Sequence, residues 1–301
     1  MAESALNPGT KRIAVVTGAN KGLGFEICRQ LASNGIKVVL TARDVTRGNE
    51  AAEKLRSNGY PDVIFHQLDM MDPASISSLA DFIKTQFGKL DILVSNAAII
   101  GAIVKEELFK LNADEYIGAN AVPQKELIEQ TYETSENCLR TNYYGNKQLS
   151  KEFIPLLLLS SSPRIVYVSS SMGQLKYISN ENARKALGDV DGLTEEKVDK
   201  VAEGFLEDFK ENLIETNGWP PNFSAYFVSK AVLNAYARIL ARMYPKIAIN
   251  AVTPGYTRTD INHNSGVLTV EEGAKGPVML ALMPDGGPSG LFYDKTAVST
   301  F

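Results

Sequence analysis

In "SAYFVSK", residues 224 to 230, Tyr226 precedes Lys230 by four positions in a stretch that reads as helix. Positions four apart on a helix lie one above the other, so a phenol and an ammonium can meet at one point in space. The spacing alone is weak, because 12 tyrosines and 31 Lys+Arg in 301 residues give about one Tyr-x-x-x-Lys/Arg match by chance. "YYGNK" holds a second such pair, Tyr143 and Lys147. A different signal lies near the amino end, where "TGANKGLG" runs from Thr17 to Gly24. Gly18 allows a tight turn, and Gly22 and Gly24 let backbone approach a phosphate. A helix opening there presents unpaired N–H groups and its positive dipole end. Asn20, Lys21 and Leu23 complete that turn, which suits a pyrophosphate when a strand precedes it and a helix follows.

The elements that would position these groups are legible from apolar periodicity. Short β-branched runs, "RIAVVT", "KVVLTA", "DVIFHQL", "DILVSNA", "RIVYVSS" and "IAINAVT", alternate with candidate helices. Continuous apolar character indicates strands buried on both faces, and the strand–helix rhythm predicts a parallel sheet with right-handed crossovers. The fold class is therefore α/β, a doubly wound parallel sheet of the Rossmann kind, read as a single domain over residues 1–301. Asp72-Pro73 marks a helix start, with Ile76, Leu79, Phe82 and Ile83 on one face. Two insertions interrupt the rhythm, at roughly 99–130 and 173–223. In the second, Val198, Val201, Phe205, Phe209 and Leu213 follow helical spacing after a Thr194 cap.

In an open parallel sheet the carboxyl ends of the strands line one crevice. Those ends carry Asp69 with Met70 after the third strand, Asn96 after the fourth, Ser169 to Ser171 after the fifth, and Pro254 with Gly255 after the sixth. Tyr226 and Lys230 fall between the serine-bearing strand and the sixth, whereas Tyr143 and Lys147 lie in the helix before the serines, so convergence selects the first pair. After the second strand, "LTARDVTRG" offers Thr41 and Ala42 where a ribose-reading carboxylate would stand. Arg43, Arg47 and Lys21 could instead meet a 2′-phosphate, which favours NADP over NAD.

Composition excludes other classes. A formal charge of −4 and a pI near 5.4 argue against nucleic acid or an anionic membrane as the main partner. Cys28 and Cys138 cannot make a disulfide framework, so a reducing compartment, the cytoplasm, is expected. His66 and His263 lack ligand spacing, and no metal is expected. "MAESALNPGTKR" has no apolar core, so it reads as neither secretory signal nor membrane anchor, and "FIPLLLL" is too short to span a bilayer.

"TGANKGLG", Asn96, Asn142 in "TNYYG", Ser170, Tyr226-x-x-x-Lys230 and Pro254-Gly255 stand in the order found in short-chain dehydrogenases/reductases, and from about Lys11 onward the chain resembles that family. The long stretch before Tyr226 resembles its monomeric carbonyl reductase branch. "VVLTARDVTRG", "FHQLD", "KLDIL", "SPRIV", "DFKENLIETNGWP" and "DGGPSGLFYD" are similar to the plant group that includes salutaridine and menthone reductases. The resemblance implies NADPH-dependent reduction of a ketone, with Tyr226 as proton donor, Lys230 strengthening that acid and holding the nicotinamide ribose, and Ser170 polarising the carbonyl. Ser169 is the local alternative to Ser170. Asn142 would hold a water joining Lys230 to solvent, and Thr257 would bond the carboxamide.

One departure is "SNAA", Ser95 to Ala98, where the family usually has Asn-Asn-Ala-Gly, so Ala98 could crowd the cofactor. The insertions are expected to wall the substrate pocket, with Ile99, Ile100, Met172, Tyr177, Phe205 and Trp219 suiting a bulky apolar cyclic ketone, terpenoid or alkaloid. They are also expected to cover the face through which relatives pair, leaving a monomer. Reduction of a conjugated C=C bond is the alternative chemistry, and a cofactor-binding regulator without turnover is the alternative class.

Overall fold

The computed structural model describes residues 11–118 and 121–301. The reading of the amino-terminal segment as neither signal nor anchor thus concerns residues that, up to residue 10, lie outside the described ones. Strands and helices alternate at first: β1 (Ile13–Val16), α1 (Gly22–Ser33), β2 (Lys37–Ala42), α2 (Val45–Ser57), β3 (Val63–Gln67), α3 (Pro73–Phe87) and β4 (Ile92–Ser95). The first insertion follows, with β5 (Ile103–Val104), α4 (Ala113–Tyr116) and β6 (Ile128–Glu129), and leads into α5 (Tyr132–Leu139), α6 (Gly145–Leu157) and β7 (Arg164–Val168). The second insertion carries α7 (Glu181–Gly188) and α8 (Glu195–Lys210). It is followed by α9 (Ser224–Met243), β8 (Ala248–Thr253), α10 (Val270–Ala281), β9 (Phe292–Asp294) and β10 (Ala297–Ser299).

The sheet order is β10-β9-β8-β7-β4-β1-β2-β3, parallel throughout except for the β9–β10 hairpin at one edge. All six strand-like runs of the sequence enter it. Continuous burial of β1, β4 and β7 follows from their central places, with apolar layers on both faces. The order reverses between β1 and β4, and at such a switch point the loops beyond the strand ends diverge and leave a crevice. The three-residue β9 was too short to be read as a strand.

Local signals explain the helix starts. The Asp72 carboxylate accepts from the Ala74 N–H with Pro73 at the first helical position, and Thr194 accepts from the Lys197 N–H to open α8. Val198, Val201 and Phe205 are buried on one face of α8, while Leu213 lies beyond its end. Between α5 and α6 the chain makes a π-helical turn over Arg140–Tyr144. Just before α9, Phe223 takes left-handed backbone, with φ 54°.

The insertions are fastened rather than draped. Asn222, buried at the end of the second, donates to the carbonyls of Tyr116 (3.1 Å) and Val122 (2.8 Å) in the first and accepts from the Gln124 N–H (2.8 Å). Gln130 donates to the Pro221 carbonyl and accepts from the Ser224 N–H. The Tyr143 and Lys147 pair serves the same end. The Tyr143 hydroxyl donates to Asp199 of α8 at 2.8 Å, and Lys147 Nζ bonds both oxygens of that carboxylate. Burial first, and then Asp199, raises the pKa of Tyr143. One Tyr-x-x-x-Lys match is thus an anchor for the insertion helix, which packs along α9 and α5.

Removing the shared acceptor leaves a buried phenol unpaired and the largely covered Lys147 ammonium with only Glu195, at 3.5 Å, as an ion-pair partner among the described residues. Asp199→Ala is expected to lower unfolding free energy by roughly 2 kcal/mol, read as a fall in urea midpoint, with Asp199→Asn losing less.

Candidate active site

The glycine-rich turn leaves β1 and enters α1 with Gly18 at φ 61°, a left-handed conformation that favours glycine. A Cβ on Gly18 would stand 2.9 Å from Ala97 Cα, and one on Gly24 would stand 2.5 Å from Asn96 Nδ2 and 2.6 Å from the Gly18 carbonyl. The turn and the end of β4 are therefore in contact. Asn96 holds them together, its Nδ2 donating to the carbonyls of Thr17 (2.9 Å) and Gly18 (3.1 Å) while its N–H reaches Thr17 Oγ1. Lys21 precedes α1 without a side-chain cap, and no acid occupies the first turn. The helix thus offers its amino-terminal N–H groups outward, the arrangement an anionic pyrophosphate fits.

On the far side of the switch point, α9 presents Tyr226 and Lys230. Lys230 is almost wholly buried. Its ammonium donates to the Val168 carbonyl at 2.9 Å and lies 5.6 Å from the Tyr226 ring centre. Desolvation pulls Lys230 down to about 8. Desolvation pushes Tyr226 up to about 12, with Cys138 adding to the rise and Ser170 opposing it. The acid-strengthening expected of Lys230 is not among the causes that move the phenol in the free protein. Ser170 is the serine beside the phenol. It caps the short 3-10 turn Ser171–Gly173 by accepting from the Met172 N–H, while Ser169 is buried with its hydroxyl unpartnered.

Asn142, fully buried in the π-helical turn, has its amide committed: Oδ1 accepts from the Ile99 N–H (2.9 Å), and Nδ2 donates to the Ile99 carbonyl (2.9 Å) and to Ser229 Oγ (3.0 Å). The side chain thus clamps the chain after β4. Thr257 is turned inward as well, its hydroxyl donating to the Pro254 carbonyl at 3.1 Å.

Asn142 apart, these groups line one cleft of about 290 Å³ bounded by Gly18, Lys21 to Gly24, Asn96 to Ala98, Ile100, Val168 to Met172, Tyr226, Lys230 and the segments 253–257 and 259–262. Two larger surface hollows, about 860 Å³ between α7 and α8 and about 660 Å³ beside α6, contain none of the catalytic candidates. The apolar wall comes from Ala98, Ile100, Met172 and Ile261. Tyr177, Phe205 and Trp219 do not line the cleft: Tyr177 packs edge-on against Phe227, and Phe205 stacks against Trp219, whose indole N–H donates to Asp208. The second insertion therefore packs its apolar residues into the core on one face of the sheet and contributes none to the lining of this cleft.

The segment after Pro254 and Gly255 contributes Tyr256, Thr259, Asp260, Ile261 and Asn262, which sequence reasoning did not single out apart from Thr257. Its signal is the reciprocal turn in which the Thr259 N–H donates to Asn262 Oδ1 (3.1 Å). The segment reaches the first insertion through Tyr116, pushed up to about 12 by burial and then by the neighbouring Tyr256. Phe109 stacks on His263 at 5.1 Å.

The remaining candidates lie toward the adenosine half of the crevice. Arg43 and Arg47 are exposed beyond β2, with no ion pair among the described residues. Lys21 is ion-paired with Asp260. Asp69 accepts from the Met71 N–H, Met70 is buried, and Asn20 is half-buried in the glycine-rich turn. Among the described residues no group of three or more His, Cys, Asp or Glu could hold a metal, and no helix is long and apolar enough to cross a membrane.

Because folding lowers the Lys230 pKa from 10.5 to about 8, the unfolded chain holds a proton between those values that the folded chain has released. Stability from this group therefore rises with pH across that window. Lys230→Met removes the buried charge, and its stability advantage over wild type is expected to shrink as pH rises from 7 to 10 in urea titrations.

The short chain dehydrogenase family matches residues 12–194. Salutaridine reductase of Papaver somniferum is 55% identical over the whole of both chains. Its solved structure superposes with a TM-score of 0.88, covering 94% of this chain and 99% of that one. (+)-Neomenthol dehydrogenase of Arabidopsis thaliana is 54% identical over 97% of this chain and 99% of its own. Carbonyl reductase [NADPH] 1 of Rattus norvegicus is 37% identical over 95% and 97%.

Proposed function

The chain belongs to the short chain dehydrogenase family and is an oxidoreductase of carbonyl and alcohol groups, and from that premise we propose that it is an NADPH-dependent reductase of bulky apolar cyclic ketones in plant terpenoid or alkaloid metabolism. The observation that carries the reading is the meeting of Tyr226, Ser170 and Lys230 in one apolar-walled cleft that opens onto the uncapped start of α1. A bound nicotinamide dinucleotide supplies the hydride. The α1 turn with Asn20, Lys21, Gly22, Leu23 and Gly24 would hold its pyrophosphate, Arg43 and Arg47 its 2′-phosphate, Asp69 and Met70 its adenine, and Asn96, Pro254, Gly255 and Thr257 its nicotinamide half.

Ser170 donates a hydrogen bond to the substrate carbonyl oxygen, polarising it where negative charge develops. Tyr226, held in its neutral form by burial, keeps its proton until that oxygen becomes basic enough to take it. Lys230 stabilises the resulting tyrosinate through its charge and offers its remaining N–H donors to ribose hydroxyls. A buried ammonium with one protein acceptor suits that double duty. Ala98, Ile100, Met172 and Ile261 exclude water from the reacting carbonyl and favour a bulky apolar body. The anchoring of α8 over α5 and α9 supports a monomer, since the helices otherwise available for pairing are covered. The two buried, unpaired cysteines suit the cytoplasm.

The test is NADPH consumption over a panel of cyclic ketones with product identification, in which an alcohol supports the reading and a saturated ketone from an enone supports C=C reduction instead. Tyr226→Phe is expected to lower kcat/KM by roughly 10²- to 10⁴-fold; undiminished turnover would remove Tyr226 as the acid. Arg43→Ala should narrow the preference for NADPH over NADH, measured as the ratio of dissociation constants. Because Lys230 is needed charged, wild-type kcat/KM for reduction should fall above pH about 8. Light scattering should give a mass near 32.8 kDa, and a stable dimer would contradict the monomer.

A further inference from the structure

Ser229 stands between the two catalytic candidates of α9 in sequence, and none of the roles above uses it. It is fully buried. Its Oγ donates to the Tyr226 carbonyl at 2.8 Å and accepts from Asn142 Nδ2 at 3.0 Å. Asn142 in turn grips Ile99 at both its N–H and its carbonyl, each at 2.9 Å. Cys138 closes the group, with Sγ 3.3 Å from Asn142 Nδ2, 3.5 Å from the Ile99 carbonyl and 3.7 Å from Ser229 Oγ. One buried circuit therefore joins the catalytic helix, the π-helical turn and the chain after β4. Ile99 sits between Ala98 and Ile100, which both line the cleft.

The chemistry of a primary amide makes this circuit directional. The Ile99 N–H requires an acceptor, which fixes Oδ1 toward it, and the Ile99 carbonyl takes one of the two Nδ2 hydrogens. The second hydrogen needs an acceptor of its own in a place water does not reach. Ser229 Oγ supplies it, and the Cys138 sulfur is too feeble an acceptor to replace it. Without the serine the amide is left with an unpaired buried donor and gains by turning away, which loosens both bonds to Ile99.

We propose that Ser229 is a positioning residue: acting through Asn142, it sets the distance between the Ala98–Ile100 wall and the helix that carries Tyr226, and so governs how the ketone is seated. The proposal rests on the carbonyl-reductase reading of the cleft, but its geometric half does not.

The test uses Ser229→Ala, Asn142→Ala and the double variant of the full chain. Ser229→Ala is expected to raise KM about tenfold for the ketone that wild type reduces best, with kcat changed less than about threefold and the NADPH dissociation constant less than about twofold. In the Asn142→Ala background the same substitution should change KM no further, because the path through the amide is already gone. Independently of turnover, amide hydrogen exchange at Ile99 should speed about tenfold in Ser229→Ala while Val94 in β4 keeps its wild-type rate. An unchanged Ile99 rate overturns the proposal, as does a KM loss that persists undiminished without Asn142. If wild type reduces no ketone, the functional reading fails and the Ile99 rate alone decides the positioning role. Should Ser229→Ala not fold, Ser229→Cys carries the exchange measurement, and a wild-type Ile99 rate there overturns it equally.

Discussion

A single ammonium group, Lys230 Nζ, sits almost out of reach of water with the Val168 carbonyl as its one acceptor among the described residues. Taking such a charge out of solvent is costly, and its lowered pKa expresses that cost. The surroundings make it tenable. β7 ends where its last carbonyl meets the amine, α9 lies across that end, and the 3-10 turn after Ser170 packs so closely that a Cβ on Gly173 would stand 2.7 Å from the Lys230 backbone. The same desolvation that weakens the ammonium strengthens every interaction it makes with a ligand, since fewer water dipoles compete. Placement of an expensive charge and readiness for chemistry are thus one arrangement.

Two Tyr-x-x-x-Lys pairs show how far sequence goes. Their spacing is identical, and order along the chain favours Tyr226 and Lys230, which the fold places in one cleft with Ser170, over Tyr143 and Lys147, which bind Asp199. What the second pair does was not legible, because its partner Asp199 lies 52 residues beyond Lys147 and nothing local in "YYGNK" points to a carboxylate that far away. The alternating strands and helices, the glycine-rich turn and the caps at Asp72 and Thr194 were legible for the opposite reason: each is a short-range event whose physics is complete within a few residues.

The misreadings have a common cause. Phe205 and Trp219 were expected in the pocket because they are large, apolar and in an insertion, but an aromatic that faces a cleft and one that faces another aromatic look alike until the chain is folded. For Asn142, what the sequence could not show is that its amide grips the Ile99 backbone at both N–H and carbonyl. Ser170 could be separated from Ser169 only by family likeness, since the strand ends at Val168 and alternation loses its authority there. Apart from Thr257, the segment from Tyr256 to Asn262 escaped notice because it lacks glycine clustering or periodicity, and acquires meaning only from what lies beneath it.

The two insertions are joined across great sequence separation. Asn222 reaches Tyr116, Val122 and Gln124 over intervals of 106, 100 and 98 residues. During synthesis, Leu108, Tyr116 and Ile128 of the first insertion, all buried in the finished molecule, leave the ribosome long before their covering segment exists. At ordinary elongation rates that interval is roughly 5 to 20 s. For that time the first insertion has none of these partners to dock against, so its attachment is completed only when the start of α9 emerges.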